Sequence, residues 1–308
     1  MLGPTLLAAS RSPRIRRLVT DAPGSRRLVQ RFVVGESLDD ALAATTRLVG
    51  DGLAVTLDHL GEDTLDVGRA DATRDTYVAL LGRLADTGLA AQAEVSLKLS
   101  AVGQALPGVG HAIALENARV ICVAAHRAGT TVTLDMEDHT TVDSTLAVLR
   151  DLRHDFPDTG AVLQSCLRRT ENDCRDLAGA GSRVRLVKGA YAEPDSVAYP
   201  DKAEVDRAYV RCLRILMAGE GYPMVASHDP RMIELAGVLA ERHGRAPGSY
   251  EYQMLHGIRT GEQRRLAGAG ERVRVYVPYG ADWYGYFMRR LAERPANVTF
   301  FLRSLVSR

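Results

Sequence analysis

Eight short apolar runs, each followed by a segment with helical spacing, constrain the fold of this chain more than any other feature. They lie at 53–57, 94–99, 131–134, 161–164, 184–187, 223–226, 250–255 and 273–277. Short apolar runs bounded by turn residues are what buried parallel strands look like. Strand followed by helix, eight times over, is the repeat that closes a (β/α)8 barrel. Pro157, Pro194, Pro200 and Pro247 fall between elements, as loop punctuation should. The predicted fold is therefore α/β, a barrel with its chemistry at the carboxyl ends of the strands. Several runs end there in polar residues: Lys98, Asp135 and Glu137, Gln164, Arg185 and Lys188, His228, and Tyr276 with Tyr279, while Glu62 follows the first run.

Residues 1–50 read as a separate N-terminal helical arm, and 51–308 as the barrel domain. Arginine-rich segments at 11–17 and 26–31 precede Ser37-Leu-Asp-Asp-Ala-Leu, in which Ser37 and Asp40 fit a capping box. Two readings of the arm stand: an amphipathic element packed on the barrel, or an anchor to a partner or a membrane surface.

Charge is balanced, with 39 Lys and Arg against 38 Asp and Glu, so nothing global draws the chain to nucleic acid. The four cysteines, Cys122, Cys166, Cys174 and Cys212, form no Cys-x-x-Cys pair and read as reduced thiols of a cytoplasmic protein. The first residues lack the basic start of a secretory signal. No apolar stretch approaches the roughly 18 residues of a membrane span. The Gly-x-Gly-x-x-Gly and Walker fingerprints are missing, as is a Gly-x-Ser-x-Gly elbow, and the eight histidines are scattered, so no metal site is expected.

The cations inside strand-like runs carry more information. In Val184-Arg-Leu-Val-Lys-Gly-Ala-Tyr191, burial of Arg185 and Lys188 costs several kcal/mol unless an anion or acceptor meets them. The partner is either a ligand at the strand's end or a structural carboxylate, and Gly189 allows a sharp turn or a close approach. Lys98 is open to three readings: a carboxylate contact, a Schiff-base amine, or an ion pair with Asp135. A helix at 282–294, stopped by Pro295, carries Arg289-Arg290 about 100° apart. They form a surface pair or a carboxylate grip, and Trp283, Tyr284, Tyr286 and Phe287 point to a helix that turns inward. Glu293 is spaced to pair with both arginines. His228 reads as a satisfied strand-end histidine or a base.

Together these stretches resemble the proline dehydrogenase family, of the monofunctional bacterial type, over about residues 53–297. The likeness rests on Val95-Ser-Leu-Lys-Leu99, Leu134-Asp-Met-Glu137, Arg185-Leu-Val-Lys-Gly-Ala-Tyr191, Ser227-His228, Gln253-Met-Leu-His-Gly257, Tyr276-Val-Pro-Tyr-Gly280 and Arg289-Arg-Leu291, in the family's order. The resemblance implies a distorted (β/α)8 TIM barrel that holds FAD and oxidises L-proline to Δ1-pyrroline-5-carboxylate, passing electrons to a membrane quinone. It implies that Arg289, Arg290 and Lys98 clamp the proline carboxylate, while Tyr276, Leu255 and Tyr191 shape the ring pocket. Arg185 is expected near flavin N5, with Met136, Gln164, Lys188, Gly189, Ala190, Ser227 and His228 lining the cofactor. Asp135 resembles the aspartate counted as catalytic, and Glu62 the acidic residue that gates the site. The location implied is cytoplasmic, with peripheral contact on the inner face of the cell membrane. Two other readings of the residues stand beside it: a barrel aldolase using Lys98 or Lys188, and a flavin-binding or small-molecule-binding barrel without turnover.

Overall fold

The computed structural model describes residues 29–292. The arginine-rich segment at 11–17, residues 26–28 of that at 26–31, and the pairing and stop expected of Glu293 and Pro295 lie outside the described residues.

Eight parallel strands close into a barrel in sequence order. They are β1 Ala54–His59, β2 Ala93–Leu97, β3 Val132–Leu134, β4 Gly160–Gln164, β5 Arg183–Val187, β6 Tyr222–Ala226, β7 Glu251–Leu255 and β8 Val273–Tyr279. Helices α1 Leu38–Gly50, α2 Val67–Asp86, α3 Gly110–Ala128, α4 Val142–Arg153, α5 Thr170–Asp176, α6 Lys202–Ala218, α7 Pro230–Arg242, α8 Thr260–Gly268 and α9 Trp283–Ala292 accompany them. β8 closes on β1, with Thr56 beside Tyr276 and Asp58 beside Pro278.

The strands run apolar because one face of each packs on helices. Val95 and Leu97, Leu186, and Val275 and Val277 join Leu80, Leu84, Ile121, Leu149 and Leu213 in a continuous hydrophobic layer. The alternate residues face the lumen, since side chains two apart share a face. On β2, β5, β7 and β8 those residues are Glu94 and Ser96, Arg183 and Arg185, Glu251 and Gln253, and Arg274 and Tyr276; all but Tyr276, which donates to Asp135, hydrogen-bond within this set. The interior is thus a polar core within an apolar ring. Lys98, Arg183, Arg185 and Arg274 meet Asp58, Glu94, Asp135 and Glu251 there.

Helix α1 starts as its capping box predicts: Ser37 Oγ accepts from Asp40 N at 3.2 Å, and the Asp40 carboxylate accepts from Ser37 N at 3.1 Å. Its Ala41, Leu42 and Ala44 enter the barrel's hydrophobic layer. A second apolar cluster joins Val29, Phe32, Val33 and Leu60 to Trp283, Tyr284, Tyr286, Phe287 and Met288. The aromatic face of α9 is therefore buried, as its composition predicts. Gly257 lets the 29–33 segment cross the β7–α8 loop: its φ is +72°, and a Cβ there would overlap the Arg31 carbonyl.

Candidate active site

Asp135 follows β3 and is the hub of the strand ends. Its Oδ1 accepts from Ser96 Oγ at 2.6 Å and Arg185 Nη1 at 2.7 Å, and its Oδ2 from Tyr276 OH at 2.7 Å. Lys98 Nζ stands 3.5 Å away. Burial pushes this carboxyl up, but Lys98, Arg185 and the two hydroxyl donors outweigh burial and hold it below its ordinary value. A buried carboxylate with so many donors stays ionised. Arg185 also lies over the Tyr276 ring, 5.3 Å from its centre.

Lys98 donates to both Asp58 oxygens, at 2.9 and 2.8 Å. Burial would lower its pKa, yet Asp58 and Asp135 reverse the sign and raise it. Lys98 is therefore a held ammonium rather than the neutral amine of a Schiff-base lysine.

Helix α9 delivers Arg289 to the loop after β1, where its Nη1 donates to Glu62 Oε1 at 2.9 Å. Arg290 stacks on Tyr286, 5.1 Å from the ring centre. The Tyr191 phenol, after β5, is raised first by burial, and it feels the charges of Glu137, Arg289, Lys98 and Glu62. Six segments distant in sequence thus converge on one mouth.

The remaining predicted residues lie along the ends of β3 to β7. Met136 is buried. Gln164 Nε2 donates to the Glu137 carbonyl at 2.7 Å. Gly189 turns the chain at φ +111°, where a Cβ would overlap Cys166 Sγ, and Gly189 and Ala190 are exposed. The buried Ser227 accepts from Asp229 N at 3.1 Å, and His228 Nε2 accepts from the half-buried Leu255 N at 3.0 Å. Lys188 lies apart from the Asp135 hub: its Nζ donates to Asp206 and Asp229, at 2.5 and 3.1 Å. Both cations of the β5 stretch have thus found carboxylates.

Sequence reasoning gave no role to Asp58, Ser96, Gln253 or Glu137. Ser96 and Gln253 sit two residues from Lys98 and Leu255, a strand-face spacing that points to them. Asp58 fell beyond the predicted end of its strand. Glu137 accepts from Ser100 N at 3.1 Å and Ser100 Oγ at 2.6 Å, yet burial pushes its carboxyl up to about 7. Among the described residues no group of His, Cys, Asp and Glu is placed to hold a metal ion, and no helix is long and apolar enough to cross a membrane.

The chain is similar to known proteins along most of its length. The family model described as proline dehydrogenase matches residues 41–303. A proline dehydrogenase of Deinococcus radiodurans is 42% identical over 281 residues, 91% of this chain and 90% of that protein. Proline dehydrogenase 2 of Bacillus subtilis is 37% identical over 285 residues, 92% of each. Among solved structures, proline utilization A from Bdellovibrio bacteriovorus, inactivated by N-propargylglycine, superposes with a TM-score of 0.78 at 27% identity. That likeness covers 85% of this chain and 32% of the other, so the chain spans about a third of that protein. With the barrel, its polar strand ends and a family match across more than half of its residues, this chain belongs to the proline dehydrogenase family.

Proposed function

We propose that this chain oxidises L-proline to Δ1-pyrroline-5-carboxylate, the first step of proline catabolism to glutamate, with FAD as its cofactor and a membrane quinone as the final acceptor. When bound, FAD supplies a hydride acceptor at N5 for the hydrogen on proline C5. Family membership supports the substrate. The observation that carries the site assignment is the set of buried Lys98, Asp135 and Arg185 with half-buried Tyr276, joined across the barrel.

The residues fit a flavin by the chemistry of their donors. Arg185 Nη2 is buried and has no hydrogen-bond partner among the described residues; Glu94 Oε1 stands 3.7 Å away. A buried guanidinium edge with an ion-pair neighbour but no hydrogen bond suits an acceptor-rich ring that gains negative charge on reduction. Gln164, Lys188, Gly189, Ala190, Ser227, His228 and Met136 would hold the cofactor along the ends of β3 to β6.

Arg289, Arg290 and Lys98 would grip the proline carboxylate. Guanidinium groups fix orientation as well as charge, and a fixed ring lowers the barrier by several kcal/mol through positioning alone. Tyr276, Leu255 and Tyr191 would wall the ring. Glu62 accepts from Arg289 at 2.9 Å and would yield it to an entering carboxylate. Asp135, kept ionised by its four neighbours, serves to orient Arg185, Lys98 and Tyr276 and to balance the charge of the two cations. The held ammonium of Lys98 also speaks against the aldolase reading.

The test is a visible absorption spectrum of the purified protein before and after L-proline is added without oxygen. A flavin spectrum that bleaches supports cofactor and substrate together. A flavin that stays oxidised overturns proline as substrate, and a colourless protein that FAD cannot reconstitute overturns the cofactor.

A further inference from the structure

The lumen face of β7 carries Glu251 and Gln253, and neither has a place in the reading above. Glu251 is fully buried. Its Oε1 accepts from Arg274 Nε at 2.7 Å and from Gln253 Nε2 at 2.6 Å. Its Oε2 accepts from Tyr222 OH at 3.0 Å and lies 3.3 Å from Arg272 Nε. An ionised carboxylate only accepts, so it claims the NH2 side of the Gln253 amide. The carbonyl side is then turned the other way, and Gln253 Oε1 accepts from Arg185 Nε at 2.5 Å.

Arg185 is thereby held at two edges. Gln253 takes Nε, while Ser96 and Asp135 take Nη1 at 3.0 and 2.7 Å. A planar guanidinium anchored at one edge can rotate about that contact; anchored at two, its plane is set. Gln253 is 4% exposed, so a methionine of similar length in its place fills the same buried space but offers Nε no carbonyl oxygen.

We propose that Gln253, ordered by Glu251, is a positioning residue that sets the plane of Arg185 and hence the placement of its charge beside Asp135 and the redox centre. This rests on the role given to Arg185 under the proposed function. Glu251 acts one step further back, and its bonds to Arg274 and Tyr222 tie the redox site to the opposite end of the barrel.

The experiment uses flavin-loaded enzyme carrying Gln253→Met, Arg185→Met or both. It reads kcat and KM for L-proline, flavin content, and the Kd for sulfite, an anion that adds more tightly to an oxidised flavin with a cation beside it. Gln253→Met is expected to keep its flavin, to lose about tenfold or more in kcat with KM within about twofold, and to bind sulfite about tenfold more weakly. The double variant is expected to be no slower than Arg185→Met alone, because Gln253 acts through Arg185. Additive losses, or a Gln253→Met enzyme with parental kcat and sulfite affinity beside a slow Arg185→Met, would overturn the positioning role and leave that of Arg185 standing. Normal turnover and sulfite binding in Arg185→Met would overturn the role of Arg185, and this inference with it. Should Gln253→Met not fold, a swapped pair carries the test. Gln253→Glu alone sets two carboxylates against each other, and adding Glu251→Gln restores an amide donor facing an acceptor. Recovery of kcat to within about threefold of the parent is expected; a swapped enzyme as slow as Gln253→Glu alone overturns the proposal.

Discussion

The Tyr276 hydroxyl donates to Asp135 Oδ2 at 2.7 Å across the barrel, joining the middle of β8 to the residue that follows β3. The proposed wall of the ring pocket and the hub of the charge network are therefore one hydrogen-bonded unit. Tyr276→Phe leaves the wall but removes a donor from a buried carboxylate, which should cost about 1–3 kcal/mol of stability in urea unfolding. Tyr276→Ser also opens the wall, so the preference for proline over 4-hydroxyproline, read as a ratio of kcat/KM values, should fall. An unchanged ratio would remove Tyr276 from the ring pocket.

Arg289 and Arg290 are proposed to bind the substrate carboxylate, so either Arg→Met change should act on KM. A charge-assisted contact of about 2 kcal/mol corresponds to a rise of about thirtyfold in KM, with flavin content unchanged. Glu62→Gln keeps both arginines and weakens only the pair at 2.9 Å, so its KM should not rise. Parental KM in both arginine variants would reject the clamp.

Lys98 lies between two carboxylates, Asp58 at 2.8 Å and Asp135 at 3.5 Å. Lys98→Met leaves both buried without their shared cation, which should cost about 3–5 kcal/mol. Adding Asp58→Asn removes one of the stranded charges and should restore part of that loss. Urea midpoints for the parent, single and double variants decide the matter: no recovery in the double variant means that packing, not charge, set the cost.

Glu137 makes stability depend on pH in an unusual direction for a carboxyl. Burial raises it from 4.5 to about 7, so between those values the folded chain holds a proton that the unfolded chain has lost. Stability from this group is complete below about pH 4.5, falls as pH climbs, and is lost above 7, a change of about 3 kcal/mol. Glu137→Gln has no proton to lose. The fall in unfolding free energy between pH 5 and 8 should be smaller in the variant than in the parent, and equal slopes would show that Glu137 is ionised throughout.

Much of this was legible in the chain. Eight runs in order led to the barrel, and the aromatic residues at 283–287 led to a helix that turns inward. The polar residues ending each run marked the rim where Asp135, Tyr276 and Arg289 stand. The fate of the two β5 cations was less legible. Arg185 and Lys188 are three residues apart on one stretch, yet Arg185 points into the lumen to Asp135 while Lys188 reaches Asp206 and Asp229. Their odd spacing puts the two on opposite faces of the strand, as observed, but it does not say which carboxylates each will meet there.

What the sequence determined by itself was the period and the chemistry: which residues are strand-like, which alternate positions are polar, and in what order they come. The tertiary structure decided the pairings. Lys98 meets Asp58 40 residues away, Arg185 meets Gln253 68 away, Tyr276 meets Asp135 141 away and Arg289 meets Glu62 227 away. Alternation assigns a side chain to the lumen but not to a partner across it. Partners are set by the closure of β8 on β1 and by the height each strand reaches in the barrel, which belong to the whole sheet and to no single segment.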